Sequence, residues 1–106
     1  MIETSTHLEL EAKLFKGFSD LSRLAILELL IKQSLTVSEI VNELKLSQPN
    51  VSMHLSCLYG CGLVKKKKNG KTVSYKLSCN QVKKVIEAAR KVIGHHSKEM
   101  FECTRY

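Results

Sequence analysis

Two helix-start signals stand eleven positions apart in the middle of the chain, and they restrict the fold more than any other feature. The first is Thr36-Val-Ser-Glu39, a capping box in which the Thr36 hydroxyl accepts from first-turn N–H groups while Glu39 reaches back to the cap. The second is Ser47, a good N-cap, with Pro49 following in the first turn, where a missing N–H costs little. Between them Val37, Ile40, Val41 and Leu44 recur at helical spacing, and Lys45-Leu46 leaves room only for a tight turn. Two short helices joined this way make a helix-turn-helix over about residues 37–59, closed by Gly60 and Gly62.

Downstream, Val64–Lys68 and Thr72–Leu77 flank Asn69-Gly70, a strong hairpin signal because both turn residues tolerate positive φ. Six of the seventeen basic residues lie on this hairpin: Lys65, Lys66, Lys67, Lys68, Lys71 and Lys76. A basic hairpin directly after a helix-turn-helix reads as a wing over about residues 64–77. The competing reading is a solvated edge kept from aggregating by its lysines. Upstream, the sequence predicts a helix over about residues 6–17 and a second one capped by Ser19 or Asp20, apolar on most sides. A final helix, capped by Ser78 or Asn80 and spanning about residues 80–100, carries the stripe Val82, Val85, Ile86, Ala89, Val92 and Ile93. A chain of 106 residues buries one modest core, so the apolar terminal helices are expected to pack against a second copy. The expected fold is mainly α with a small β-hairpin: one winged helix-turn-helix domain over 1–106, a homodimer through its terminal helices.

Charge is unevenly placed. The net formal charge is +7, and the twelve Lys/Arg against three Asp/Glu beyond residue 60 carry all of the excess. Such a skew suits double-stranded DNA, although a solvated basic surface would look the same from charge alone. No apolar run reaches membrane-spanning length, and the N-terminus lacks the basic-then-apolar pattern of a secretory signal, so a cytoplasmic location is expected. No acid/base pair, nucleophile triad or phosphate loop appears, and an enzyme is not expected. Cys57, Cys61, Cys79 and Cys103 form no CxxC pair, which argues against a zinc ribbon or a thioredoxin-type centre.

At about 100° per residue, Val51, Leu55 and Leu58 share the buried side of the helix that follows Ser47. Asn50, His54, Cys57 and Cys61 share another. Ser47, Gln48, Asn50, Ser52, Met53 and His54, near the N-terminal end, are the candidates for the major groove, with Lys65, Lys66, Lys67, Lys68 and Lys71 on the wing. Asn and Gln can bond adenine bidentately, and Ser can bond bases or phosphates. Cys57 and Cys61 are four apart, so their Cβ atoms lie about 5–6 Å from each other and could share one soft ion. Cys103 could supply a third thiolate, from its own chain or across a dimer. The pair reads equally as two small residues at a packing seam.

On FSDLSRLAILELL and LSQPNVSMHLSCLYGCGLV the chain resembles the ArsR/SmtB family of winged-helix, metal-responsive repressors. HLSCLYGCGLV is especially similar to the cadmium- and lead-sensing CmtR branch. The resemblance implies a repressor that leaves its operator on binding Cd(II) or Pb(II), with Cys57 and Cys61 as helix ligands and Cys103 as the tail ligand. As(III) also accepts three thiolates, and Zn(II) is a further candidate. The family's N-terminal cysteine box is absent. Its last-helix zinc site is matched only in its late half, by His95, His96 and Glu99, which are therefore expected to be surface residues. Cys79 is expected to be structural or a spare thiol. A thiol-redox switch on the same fold and a winged protein-interaction module are the rival readings.

Overall fold

The computed structural model describes residues 5–102, the side chains of Ser5 and Phe101 excepted. In chain order its elements are α1 (Ser5–Phe18), α2 (Leu21–Lys32), β1 (Leu35–Thr36), α3 (Val37–Leu44), α4 (Gln48–Gly60), β2 (Val64–Asn69), β3 (Thr72–Leu77) and α5 (Asn80–Glu102). Local chemistry accounts for most of these boundaries. Asp20, not Ser19, caps α2, its carboxylate accepting from the Arg23 N–H at 3.0 Å. The capping box of α3 is complete: Thr36 N donates to Glu39 Oε1 at 2.8 Å, and Glu39 N donates to Thr36 Oγ1 at 3.2 Å. Lys45 ends that helix in a left-handed conformation, φ 59°, and its N–H reaches Val41 O at 2.9 Å. Ser47 then caps α4 by accepting from Asn50 N at 3.3 Å. Gly62, at φ 79°, turns the chain out of α4 into the wing.

The hydrophobic core lies where α2, α3, α4 and the root of the wing converge. Ile26, Leu27, Ile40, Val51, Leu55, Leu58 and Leu63 are fully buried there, each contributing roughly 1.5–3 kcal/mol of transfer free energy. Three antiparallel strands run in the order β1-β3-β2. The third strand was not expected: Leu35 and Thr36 pair with Tyr75 and Ser74, fastening the start of α3 to the wing. Two residues carry no periodicity, so only their tertiary partner makes them a strand.

The terminal helices leave apolar surface open. Leu8, Leu10 and Phe15 on α1 and Val92, Ile93 and Met100 on α5 are about half exposed or more. Phe15, Phe18, Leu24, Val85, Ala89 and Ile93 line an apolar groove between α1, α2 and α5. Arg90 and Glu28 pair at its edge. The last helix extends past Gly94, with a break in helical backbone at His96. At its start the Val82 N–H donates to the Cys79 carbonyl at 3.2 Å. No described helix is long and apolar enough to cross a membrane.

Candidate nucleic-acid interface and thiol pair

Helix α4 presents three flanks. Val51, Leu55 and Leu58 face the core. Ser52, Met53, Ser56 and Tyr59 form an open outer flank, Met53 at 57% and Tyr59 at 50% exposure. Gln48, Pro49 and Asn50 extend that open surface at the capped N-terminus, beside Ser47. The third flank, His54, Cys57 and Cys61, is half-buried against the junction of α1 and α2.

His54 therefore departs from the groove-facing group that the sequence suggests. Its side chain is 12% exposed, and Nδ1 lies 3.9 Å from Asp20 Oδ2. That separation is too long for a hydrogen bond, and Nδ1 has no other polar partner. Asp20 sits at the start of α2, which brings its carboxylate to the ring from outside α4. The Arg23 N–H holds the Asp20 carboxyl below the usual carboxylate range, with the charges of Arg23 and His54 adding to the effect. Ser56 and Tyr59, which the sequence reading passes over, replace His54 on the open surface. A helical wheel centred on the Val51–Leu55–Leu58 core stripe places Ser56 opposite that stripe, but it sets Tyr59 and His54 at similar angles on either side of it.

The thiol pair is packed beneath the end of α1. Gly17 is buried, and a Cβ built on it would stand 2.6 Å from Leu63 Cδ1 and 3.5 Å from Cys61 Sγ. A side chain at position 17 would therefore have to displace the Leu63 methyl. Arg23 secures the same corner, its Nε donating to Gly17 O at 3.1 Å and its Nη2 to Lys16 O at 2.9 Å. Burial pushes the Cys61 thiol above its ordinary range, and the adjacent Cys57 raises it further, while Lys13 and Arg23 pull weakly the other way. Among the described residues, no group of three His, Cys, Asp or Glu side chains is placed to hold an ion. Cys103 lies outside the described residues.

On the wing, Lys65, Lys66, Lys67, Lys68 and Lys71 are all exposed, and Gly70 makes the turn at φ 66°. The Nζ of Lys66 stands 4.4 Å over the centre of the Tyr59 ring, joining wing to recognition helix. His95, His96 and Glu99 are exposed on α5. Cys79 is exposed, and its thiol is held below the ordinary range, first by the Gln81 N–H.

Residues 20–66 match the model of the family described as "Bacterial regulatory protein, arsR family". The chain is 33% identical over 100 residues to the "Probable mercury resistance operon repressor" of Streptomyces lividans, covering 94% of this chain and 80% of that one. It is 39% identical over 67 residues to the HTH-type transcriptional regulator CmtR of Mycobacterium bovis, 63% of this chain and 57% of that protein. The solved homodimeric winged helix-turn-helix DNA-binding domain of another M. bovis protein shares the fold, with a TM-score of 0.83 at 23% identity and coverage of 91% and 89%.

Proposed function

The chain belongs to the arsR family of bacterial regulatory proteins, and from that premise we propose that it is a homodimeric repressor whose operator affinity falls when thiolates bind a soft metal ion. One winged helix domain over 1–106 carries the whole activity. The α4 N-terminus (Ser47, Gln48, Asn50, Ser52, Met53) reads the major groove, and lysines on one side of the wing neutralise phosphates alongside. The apolar faces of α1 and α5 supply the dimer interface, as the open groove at Phe15 and Ile93 favours.

The observation that carries the metal reading is the placement of Cys57 and Cys61. They lie on the same helix as the reading surface, on the flank clamped beneath α1. Cd(II) or Pb(II) would supply a soft centre for three thiolates, with Cys103 as the third donor from either chain. Drawing Cys57, Cys61 and the Cys103 tail together would restrain or reorient α4, and if the ion prefers the off-DNA conformation, linkage requires that it weaken operator affinity reciprocally. Because burial favours the protonated Cys61, metal uptake must displace its proton, so affinity rises with pH through that thiol's titration.

The test is to titrate Cd(II), Pb(II), As(III), Zn(II) and Hg(II), the last because of the Streptomyces relative's name, into protein bound to labelled operator. Thiolate charge-transfer absorption is followed together with DNA release. Release that tracks absorption, strengthens with pH and disappears in Cys57→Ser supports the reading. Metal uptake with unchanged DNA affinity would overturn it, and release by mild oxidant alone would favour the redox alternative.

A further inference from the structure

The lysine run of β2 is continuous in sequence but divided in space. Side chains directly opposite each other in an antiparallel pair share a face, and successive residues alternate. Val64, Lys66 and Lys68 pair with Leu77, Tyr75 and Val73, which places them on the face toward the helices. Lys65 and Lys67 pair with Lys76 and Ser74 on the opposite face, where Lys65 and Lys76 stand directly across from each other. Lys66 alone of these has an aromatic support, the Tyr59 ring on the open flank of α4. That ring is half exposed and belongs to no core cluster, so packing does not account for its position.

We infer that Lys66 and Lys68 are the strand lysines that neutralise DNA phosphates beside the recognition helix, that Lys65 and Lys67 are not, and that Tyr59 is a positioning residue for Lys66. The ring faces the ammonium from one side, leaving its remaining N–H groups to a phosphate. A long flexible side chain is thereby held where it would otherwise be ordered at an entropic cost. The inference rests on the DNA-binding reading above, and the experiment separates the two.

The full chain is titrated onto a labelled mixed-sequence duplex across a salt series, with thermal melting as a check on folding. The wild type is expected to bind with a steep salt dependence; no salt-dependent binding would remove the DNA reading itself. Lys66→Gln or Lys68→Gln is expected to flatten the salt slope by about 0.9 for each phosphate no longer neutralised. Lys65→Gln and Lys67→Gln should leave the slope unchanged, and equal losses from all four would overturn the division. Tyr59→Leu should weaken binding by about 2- to 5-fold per protomer, with Tyr59→Phe retaining wild-type affinity. In the Lys66→Gln background Tyr59→Leu should have no further effect. A loss that persists there, or a Phe variant as weak as Leu, would overturn the positioning role.

Discussion

The two non-core flanks of α4 differ in what covers them. On the outer flank Ser52, Met53, Ser56 and Tyr59 meet solvent and the wing. On the inner flank His54, Cys57 and Cys61 meet Gly17 and Asp20, at the junction of α1 and α2. Burial, more than composition, separates them: a serine in the open can exchange water for a phosphate, whereas a thiol beneath a helix end can respond only to something small enough to enter. On the proposed function the reading and sensing surfaces stand back to back around one helix. A change at one reaches the other only by moving the helix.

The sharpest way to break the comparison is to remove what both flanks share. Leu58 is fully buried between them, and Leu58→Ala is expected to cost about 2–5 kcal/mol, seen as a lower denaturant midpoint with DNA binding and metal uptake falling together. A smaller change should separate the flanks. Gly17→Leu drives atoms into Leu63 and Cys61 and should cost about 1–3 kcal/mol by overpacking. Metal-induced absorption should disappear while low-salt duplex binding survives. Equal losses of both would show that the flanks are not independent.

The smallest effect concerns the carboxylate at the junction. Asp20 is depressed below its ordinary value of 3.8, so its contribution to stability is present above that value and disappears as pH falls through the folded-state pKa. Asp20→Asn should remove that part of the acid-side decline, read from denaturant unfolding at a series of pH values. An unchanged profile would place the acid sensitivity elsewhere.

Much of the fold was legible because its signals are local. The Thr36–Glu39 box, the Ser47 cap, Pro49 and Asn69-Gly70 each act within a few residues, and the elements begin and turn where these signals stand. The inner flank was less legible. Helical spacing grouped His54 with Cys57 and Cys61, and put the exposed Asn50 with them; only the distant Asp20 and Gly17 show that the later turns of this side are covered. Gly17 itself gives no sequence signal of its role, since its reason is the approach of another helix. The division of the wing lysines was available in principle from strand alternation, but a run of four identical residues conceals its own period.

The two-residue strand β1 has a mechanical consequence. Thr36 is at once a rung of the sheet and the cap of α3, so the front of the helix-turn-helix and the wing are riveted into one rigid head. Such a head is braced against folding its wing away from DNA. A stimulus at the thiols would instead act on a lever, tilting the head about the seam where α4 meets α1. In a dimer the output of that lever is the span between two heads, which must match the helical repeat of about 10 base pairs between half-sites. Repression would then be lost by mis-spacing two intact readers, with neither of them deformed.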